Sequence, residues 1–447
     1  MILGRKSIFA AIVLLVGMVF GGGGGGAGLA NLAVQLTALV LLAVEPQAVL
    51  NFFTRVARFP AVLVASALLL PLLQLVPLPP ILWQALPGRS LAQEALALVG
   101  QQDSWLPMSV EPGRTLVAFA SLLPPLAILV FSWDRPREEK RTLLMLVVLV
   151  AVLEVLLGAQ QLASGNRSLI FFDEALGSSD LQGTFANRNS MGLFFVLSLC
   201  FVVGLVPEKP RDTKVLVGLC AVAAILVLGL VLTRSRSSMG LLVIPFALAA
   251  FRWLRLQGSA RSRIWIGSGL ALVGVILAGG VTMLASDNDR VRASLERFSD
   301  LEDRRPVIWA DTLTSIGRFW PVGSGVGTFD EVFQVDESLE NIGPGRAGRA
   351  HDEYLEVALE SGVVGLALLG AWCVFWALRG LQCLRAGGLG QVGIAAFAVV
   401  MLQSISDYPL RSQTLLCIAG LAMALVVSRG RRMQSAGARR EVAVARE

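Results

Sequence analysis

The sequence of 447 residues has few charged residues and almost no histidine. Charged residues make up 16% of the chain, whereas a soluble domain usually contains about 25%. His351 is the single histidine, and none of the five cysteines forms a C-x-x-C pair. A zinc site is therefore not expected, because such a site needs several His or Cys ligands. We interpret the cysteines as small apolar residues buried in the protein.

Long apolar runs are the main feature of the sequence. Hydrophobic residues make up 55% of the chain, and many runs approach the ~20 residues that cross a bilayer. These runs exclude a soluble enzyme, a fibrous protein and a disordered chain. We expect one membrane domain over residues 1–447, an all-α polytopic protein with about 12 transmembrane helices. The predicted spans are 7–20, 27–44, 60–76, 113–133, 141–162, 189–206, 214–233, 238–252, 264–285, 355–378, 390–406 and 411–428.

The distribution of lysine and arginine predicts the orientation of the chain. With a cytoplasmic N-terminus and alternating spans, 23 of the 30 cationic residues outside segment 286–352 lie on the cytoplasmic side, as the positive-inside rule requires for short loops. Both termini are then cytoplasmic, and residues 429–447 form a basic cytoplasmic tail. Residues 163–188 form a periplasmic loop, and residues 286–352 form a large one. A connection of that length is usually functional or has its own small structure.

Two arginines in the string TRSRSS at 233–238 lie in a very short connection on the outer side. Arginine at this place opposes the positive-inside trend, and near the membrane core it costs roughly 2.5–3.5 kcal/mol. Guanidinium groups bind phosphate in two-point geometry, and Ser235 adds a hydroxyl donor. We therefore interpret Arg234 and Arg236 as part of an anion site. The alternative is that both side chains extend to the lipid headgroups.

The string HDEY places His351 at the junction of the long loop and the span 355–378. Histidine is the side chain best suited to accept a proton near neutral pH, and we expect Asp352 or Glu353 to orient its ring. The alternative is that the acidic residues only favour a helix N-terminus. Both interpretations are compatible with one another.

Two further segments are candidates for substrate binding. In GTFANRN at 183–189 the backbone amides and Arg188 are suited to hold sugar or phosphate, although Asn189 is equally suited to cap the next helix. Arg305 and Trp309 are four residues apart and share a helix face, which is typical either of a sugar-binding surface or of a packing pair in a loop. Weaker candidates, by position only, are Arg346, Arg349, Asp407 and Arg411.

Taken together, these strings resemble the O-antigen ligase and polymerase superfamily of bacterial envelope glycosyltransferases. HDEYLEVALESGVVG at 351–365 resembles its signature of a His, then Tyr-Leu, then an acidic residue and paired glycines. The resemblance covers residues 183–428. Three other strings are similar to family motifs: GTFANRN at 183–189, TRSRSSMG at 233–240, and Arg305-x-x-x-Trp309 followed by PVGSGVGTF at 321–329.

The resemblance implies a fold like that of the C-type glycosyltransferases and transfer of a glycan at the periplasmic face of the bacterial inner membrane. The donor would be a glycan on undecaprenyl diphosphate. The acceptor would be lipid A–core for a ligase, another lipid-linked repeat for a polymerase, or a protein hydroxyl for an O-oligosaccharyltransferase. The resemblance implies transfer without a nucleotide sugar or a metal, and no cofactor is expected. We expect no nucleic-acid partner, because the net charge of +6 mostly reflects the positive-inside bias.

The family's site residues correspond to particular positions of this sequence. The resemblance places Arg236 and Arg305 at the donor diphosphate and His351 beside the acceptor hydroxyl. Further residues expected to bind the donor diphosphate or the glycan are Arg188, Asn189, Arg234, Ser235, Trp309, Arg349 and Tyr354.

Two other classes of protein are alternatives. A transporter or flippase of lipid-linked glycans would need ionisable residues at mid-membrane, for which Glu154 is the main candidate. A non-enzymatic scaffold of an envelope assembly complex would tolerate the loss of His351. Most charges lie instead at one face, around two loops, which favours surface chemistry over transport. Ligase is the first choice and polymerase the second, and the sequence does not separate them because both use the same donor and differ in the acceptor.

Overall fold

The computed structural model describes residues 3–23, 27–173, 176–207, 213–255, 305–339 and 347–428, and it is mostly helical. In this part of the chain the strands β1 (Pro77–Leu78) and β2 (Leu106–Pro107) form one short antiparallel pair. A 3₁₀ turn spans Pro409–Arg411. The α-helices are α1 Arg5–Phe20, α2 Gly28–Val44, α3 Pro46–Arg55, α4 Arg58–Gln74, α5 Pro80–Trp83, α6 Ser90–Leu98, α7 Pro112–Ala120, α8 Leu123–Ser132, α9 Arg137–Ala163, α10 Arg188–Leu205, α11 Thr213–Leu232, α12 Arg236–Gly240, α13 Val243–Arg255, α14 Arg305–Phe319, α15 Phe329–Asp336, α16 Glu353–Ala386, α17 Leu389–Gln403 and α18 Gln413–Val427.

Every predicted apolar span within the described residues coincides with a helix or a pair of helices. Apolar runs form helices in a bilayer because the backbone polar groups have no water to bond with. Prolines begin several of these helices, as Pro46 and Pro112 do, since proline fits the first helical turn. The predicted span 264–285 lies outside the described residues.

Six helical segments of the described chain are long and apolar enough to cross a membrane. A seventh is formed by α2 and α3 if this pair, bent by 79°, is one span. The chain is therefore a helical protein with several membrane-capable helices. The total of twelve spans stays a prediction, as do the periplasmic loop 286–352, of which the structure describes only part, and the tail 429–447, which lies outside the described residues.

Helix α10 lies at the centre of the bundle. Nearly all of its residues are buried, and it packs against α9, α11 and α17. A helix that is apolar on all sides either lies among other helices or faces lipid, and α10 is of the first kind. Helix α18 is also almost fully buried, between α8, α17 and α1. The N-terminus of α10 is therefore held rigidly, and it is one of the places where site residues lie.

One end of the bundle carries cations that bond to the carbonyl oxygens of helix C-termini. Arg141 donates to the carbonyl of Leu205 at 2.6 Å, at the end of α10. Arg379 donates to Val426 at 2.7 Å, near the end of α18. Such contacts satisfy unpaired carbonyls and the negative end of the helix dipole. Two more contacts of this kind join Lys140 to Trp133 and Arg255 to Leu384.

Candidate functional site

His351 lies at the opposite end of the bundle, where α10 and α16 begin and α17 ends. Its backbone is left-handed, with φ of 52°, which is uncommon for a residue other than glycine. The chain turns sharply here before it enters α16. The next residue, Asp352, begins that helix, because its side chain accepts a hydrogen bond from the amide of Leu355 at 2.9 Å.

The carboxylate beside His351 is that of Asp407. Nδ1 of His351 lies 3.3 Å from Oδ1 of Asp407, which is buried. The expectation that Asp352 or Glu353 orients the ring is wrong, because Asp352 caps α16 and Glu353 faces Arg411. The two atoms do not meet hydrogen-bond geometry, so the buried carboxylate acts on the ring through its charge, which favours a proton on Nδ1. Nε2 is then the nitrogen suited to exchange a proton with a substrate.

Tyr408 covers one side of the imidazole. The two rings meet edge to face with centroids 5.0 Å apart. Asn187 donates to the Tyr408 hydroxyl at 3.4 Å, and the Arg349 guanidinium lies 6.0 Å from the centre of the Tyr408 ring. Burial, together with the charge of Asp407, raises the pKa of Tyr408 to about 12. The phenol therefore stays protonated over the physiological pH range.

Arg411 is a half-buried cation, with 15% of its side chain exposed, in the segment that also contains Asp407. Its guanidinium lies 3.2 Å from Glu353, 2.9 Å from Glu356 and 2.8 Å from Glu360. These glutamates share a face of α16 because they are three and four residues apart. Burial alone lowers the pKa of Arg411, but the three carboxylates outweigh it and raise that pKa above its usual value. Arg411 is therefore permanently charged.

The segment TRSRSS meets the segment GTFANRN at the start of α10. Ser235 caps the short helix α12, and its hydroxyl donates to Oδ1 of Asn189 at 2.9 Å. The alternative that Asn189 caps α10 is wrong, since Asn187 does so by accepting from the amide of Asn189 at 2.8 Å. Residues far apart in sequence thus become neighbours. Arg236 begins α12, and its side chain is exposed.

Asp180 holds two of the candidate arginines together. Nη1 of Arg188 lies 2.8 Å from one oxygen of Asp180, and Nη1 of Arg234 lies 3.4 Å from the other. Arg234 also contacts the hydroxyl of Ser179. Asp180 is buried. Because one carboxylate faces two guanidinium groups, the three side chains together carry a net positive charge.

Trp309 is joined to the histidine loop, the residues 347–352 that lead into α16. Its indole nitrogen donates to the carbonyl of Ala350 at 2.9 Å, directly before His351. This contact agrees with the packing interpretation of the pair Arg305 and Trp309, and the sugar-binding interpretation stays a prediction. Arg305 is the first residue of α14 and is half-buried.

Tyr354 is directed toward α17. Its hydroxyl donates to the carbonyl of Met401 at 2.7 Å, so the hydroxyl already has a partner within the protein. The end of α17 is joined to α12 by a 3.0 Å hydrogen bond from Gln403 to Ser237. One region of the bundle is therefore surrounded by the histidine loop, α17 and the segment 233–238.

Sequence reasoning missed the importance of three residues in this region. It named Asp407 and Arg411 by position only, and it did not single out Asp180 as a partner of arginine. One signal was available for Arg411. Glutamates spaced by three and four residues at the start of a membrane-capable helix need a buried cation, because uncompensated buried charges are costly.

Among the residues that the structure describes, no group of three or more His, Cys, Asp or Glu side chains is arranged to hold a metal ion. The chemistry available to the described site is that of one imidazole, several guanidinium groups and buried carboxylates.

Comparison with known proteins agrees with the motifs. The family described as O-antigen ligase matches residues 221–370, about a third of the chain. The matched region contains Arg236, Arg305 and His351. It does not include Arg188 or Asp407. The match confirms the resemblance to the O-antigen ligase and polymerase superfamily. No curated protein matches the chain.

Proposed function

Because part of the chain is of the O-antigen ligase type, we propose that the protein is a membrane glycosyltransferase of this kind. It moves a glycan from an undecaprenyl-diphosphate donor to a hydroxyl of lipid A–core. The observation that carries the proposal is the contact between His351 and buried Asp407, at the end of the bundle that faces away from the cation-lined end.

The cations at the helix C-termini support a periplasmic location for this site, because several arginines at the opposite end are paired with carboxylates. Arg141 and Arg379 lie at the end where α10 and α18 terminate, and positively charged residues favour the cytoplasmic side of a membrane. The end that contains His351 then faces the periplasm of the inner membrane, and both termini face the cytoplasm.

His351 is the proposed general base. As the acceptor oxygen bonds to the anomeric carbon, its proton moves to Nε2 of His351, and the bond from that carbon to the diphosphate oxygen breaks. The carboxylate of Asp407 stabilises the imidazolium that forms. A single displacement of this kind inverts the anomeric carbon.

Arginines are the proposed ligands of the diphosphate. Negative charge develops on the leaving diphosphate, and guanidinium groups in a partly dry site stabilise it. We assign this role to Arg236 and Arg305, assisted by Arg188 and Arg234. The last two are supported by their shared partner Asp180, which holds both guanidinium groups at the start of α10, where Ser235 of the segment 233–238 contacts Asn189.

The rival that belongs to another class is a transporter of lipid-linked glycans. Its main candidate residue, Glu154, is buried in α9 and accepts a hydrogen bond from the amide of Thr184 at 2.9 Å. The Thr184 hydroxyl lies 2.6 Å from its other oxygen. A carboxylate with two such partners has a structural explanation, so it offers little support for a transport path.

An envelope-glycan gel tests the proposal. A strain that lacks the gene would be complemented with wild type, His351→Ala, Arg236→Ala or, as a control from the cation-lined end, Arg255→Ala. We expect wild type and Arg255→Ala to restore capped lipopolysaccharide, and the other two variants to accumulate long chains on the lipid carrier.

Other outcomes identify the alternatives. Accumulation of single repeats would indicate a polymerase, which uses the same donor, and a change confined to glycoproteins would indicate a protein O-oligosaccharyltransferase. Normal glycans in cells that contain inserted His351→Ala protein would contradict every enzymatic interpretation.

A further inference from the structure

We propose that Arg411 is a positioning residue for His351, because its contacts with three glutamates of α16 fasten the segment 404–411 to that helix and thereby set Asp407 against the imidazole. The mechanistic meaning of this proposal rests on the proposed function, in which His351 is the base. The geometry and its test do not depend on any transfer reaction.

The segment that carries Asp407 is attached to α16 at both of its ends. At its beginning, the amide of Glu353 donates to the carbonyl of Ser404 at 2.9 Å. At its end, the amide of Leu410 donates to a carboxylate oxygen of Glu353 at 3.2 Å, and Arg411 contacts the other oxygen. Asp407 lies between these attachments, so its position follows from them.

Glu356 joins this segment to the histidine loop. One of its oxygens accepts from the amide of Ala350 at 3.1 Å, directly before His351. The other lies 2.9 Å from Arg411 and 3.3 Å from Arg349. Glu356 has no exposed surface. The buried carboxylate of Glu356 therefore contacts both Ala350, directly before His351, and Arg411, four residues after Asp407.

A guanidinium group is suited to this role in a way that an ammonium group is not. It presents five N–H donors in a planar fork. In Arg411, Nε lies 3.2 Å from Glu353, and Nη2 lies 2.9 Å from Glu356 and 2.8 Å from Glu360. Lysine at this position would keep the charge but would present a single nitrogen. Arg411→Lys therefore removes the multiple contact with little change in charge.

The composition of the chain makes the consequence directly observable. His351 is the one histidine in the sequence, so nitrogen NMR of protein labelled in histidine reports on this ring alone. The contact with Asp407 favours a proton on Nδ1 and a bare Nε2 when the ring is neutral. If Arg411 moves away and Asp407 moves with it, no carboxylate faces Nδ1, and the preference for a proton on that nitrogen is lost.

The experiment compares full-length variants in lipid nanodiscs at a pH where the ring is neutral. Asp407→Asn removes the carboxylate itself and shows the spectrum of an unrestrained ring. We expect Arg411→Lys and Glu356→Gln to shift the spectrum from the wild-type tautomer toward that of Asp407→Asn. Arg379→Lys, at the far end of the same helix, is the matched control and keeps the wild-type spectrum.

The proposal would be overturned if Arg411→Lys and Glu356→Gln both kept the wild-type tautomer of His351 while Asp407→Asn changed it. An unchanged tautomer in Asp407→Asn would overturn it as well. The two positioning variants alter opposite partners of the contact between Arg411 and Glu356, so the test survives if one of them does not fold. Since the spectrum needs no substrate, its result is separate from any failure of the proposed glycan transfer.

A second measurement separates positioning from general loss of structure. If the proposed transfer operates, folded Arg411→Lys should lower the turnover number at least tenfold and leave KM for the lipid-linked donor nearly unchanged. An equal change in both constants, or none in either, would count against a positioning role.

Discussion

The indole nitrogen of Trp309 lies 2.9 Å from the carbonyl oxygen of Ala350, the residue directly before His351. Through this contact α14 holds the histidine loop from one side, while Glu356 of α16 holds the amide of the same alanine from the other. The loop that presents His351 is thus held between two helices.

Trp309→Phe keeps an aromatic ring and removes the hydrogen bond to Ala350. A hydrogen bond of this kind contributes about 0.5–1.5 kcal/mol, so we expect glycan transfer to fall by up to roughly tenfold. Initial rates of purified protein would be compared with wild type and Trp309→Ala. Full activity in Trp309→Phe with strong loss in Trp309→Ala would favour stacking of the ring on a sugar instead.

Arg188→Ala and Arg234→Ala each remove one guanidinium from Asp180. If this pair assists in binding the diphosphate, each substitution should lower kcat/KM for the lipid-linked donor by roughly 10- to 100-fold. Arg255→Ala, at the opposite end of the bundle, is the matched control. Equal activity in all three variants would remove this pair from the donor site.

Glu154→Gln distinguishes the transferase from the transporter. The amide can keep hydrogen bonds to Thr184, so we expect a stability loss of about 1 kcal/mol and transfer within about twofold of wild type. Thermal unfolding and glycan gels would measure the two effects. If flipping of lipid-linked glycan stopped while the protein stayed folded, the transporter interpretation would gain decisive support.

Gly362 interrupts α16 with φ of 54° and ψ of −143°. A Cβ atom there would overlap the carbonyl oxygen of Pro321, which accepts a 2.9 Å hydrogen bond from Val363. We expect Gly362→Ala to destabilise the protein by about 1–3 kcal/mol and to reduce its amount in membranes. Gly370→Ala, where no atom lies within 4 Å, should leave that amount unchanged.

The helices could be predicted from sequence because apolar runs of this length have few other structures in a bilayer. The bounds of α9 and α16 extend several residues beyond the predicted spans, since charged residues that continue a helix leave no mark in a hydropathy pattern. The interruption at Gly362 was not predicted, because it arises from contact with the distant turn that contains Pro321.

The sequence allowed us to predict which types of residue form the candidate site, but only part of which side chains contact one another there. His351, Arg188 and Arg234 stood out as unusual residues in an apolar chain. Asp407 and Asp180 did not, because a carboxylate becomes a partner only when the fold brings it to the cation. Sequence proximity favoured Asp352 over Asp407, and it failed because the first carboxylate before a helix is well placed to cap it.

The most direct test of the central claim is transfer by the purified protein in nanodiscs that contain a lipid-linked donor and lipid A–core. We expect wild type to produce glycosylated lipid A–core and one equivalent of undecaprenyl diphosphate, and His351→Ala, inserted and folded, to produce neither. Equal product formation by the two proteins would contradict that claim.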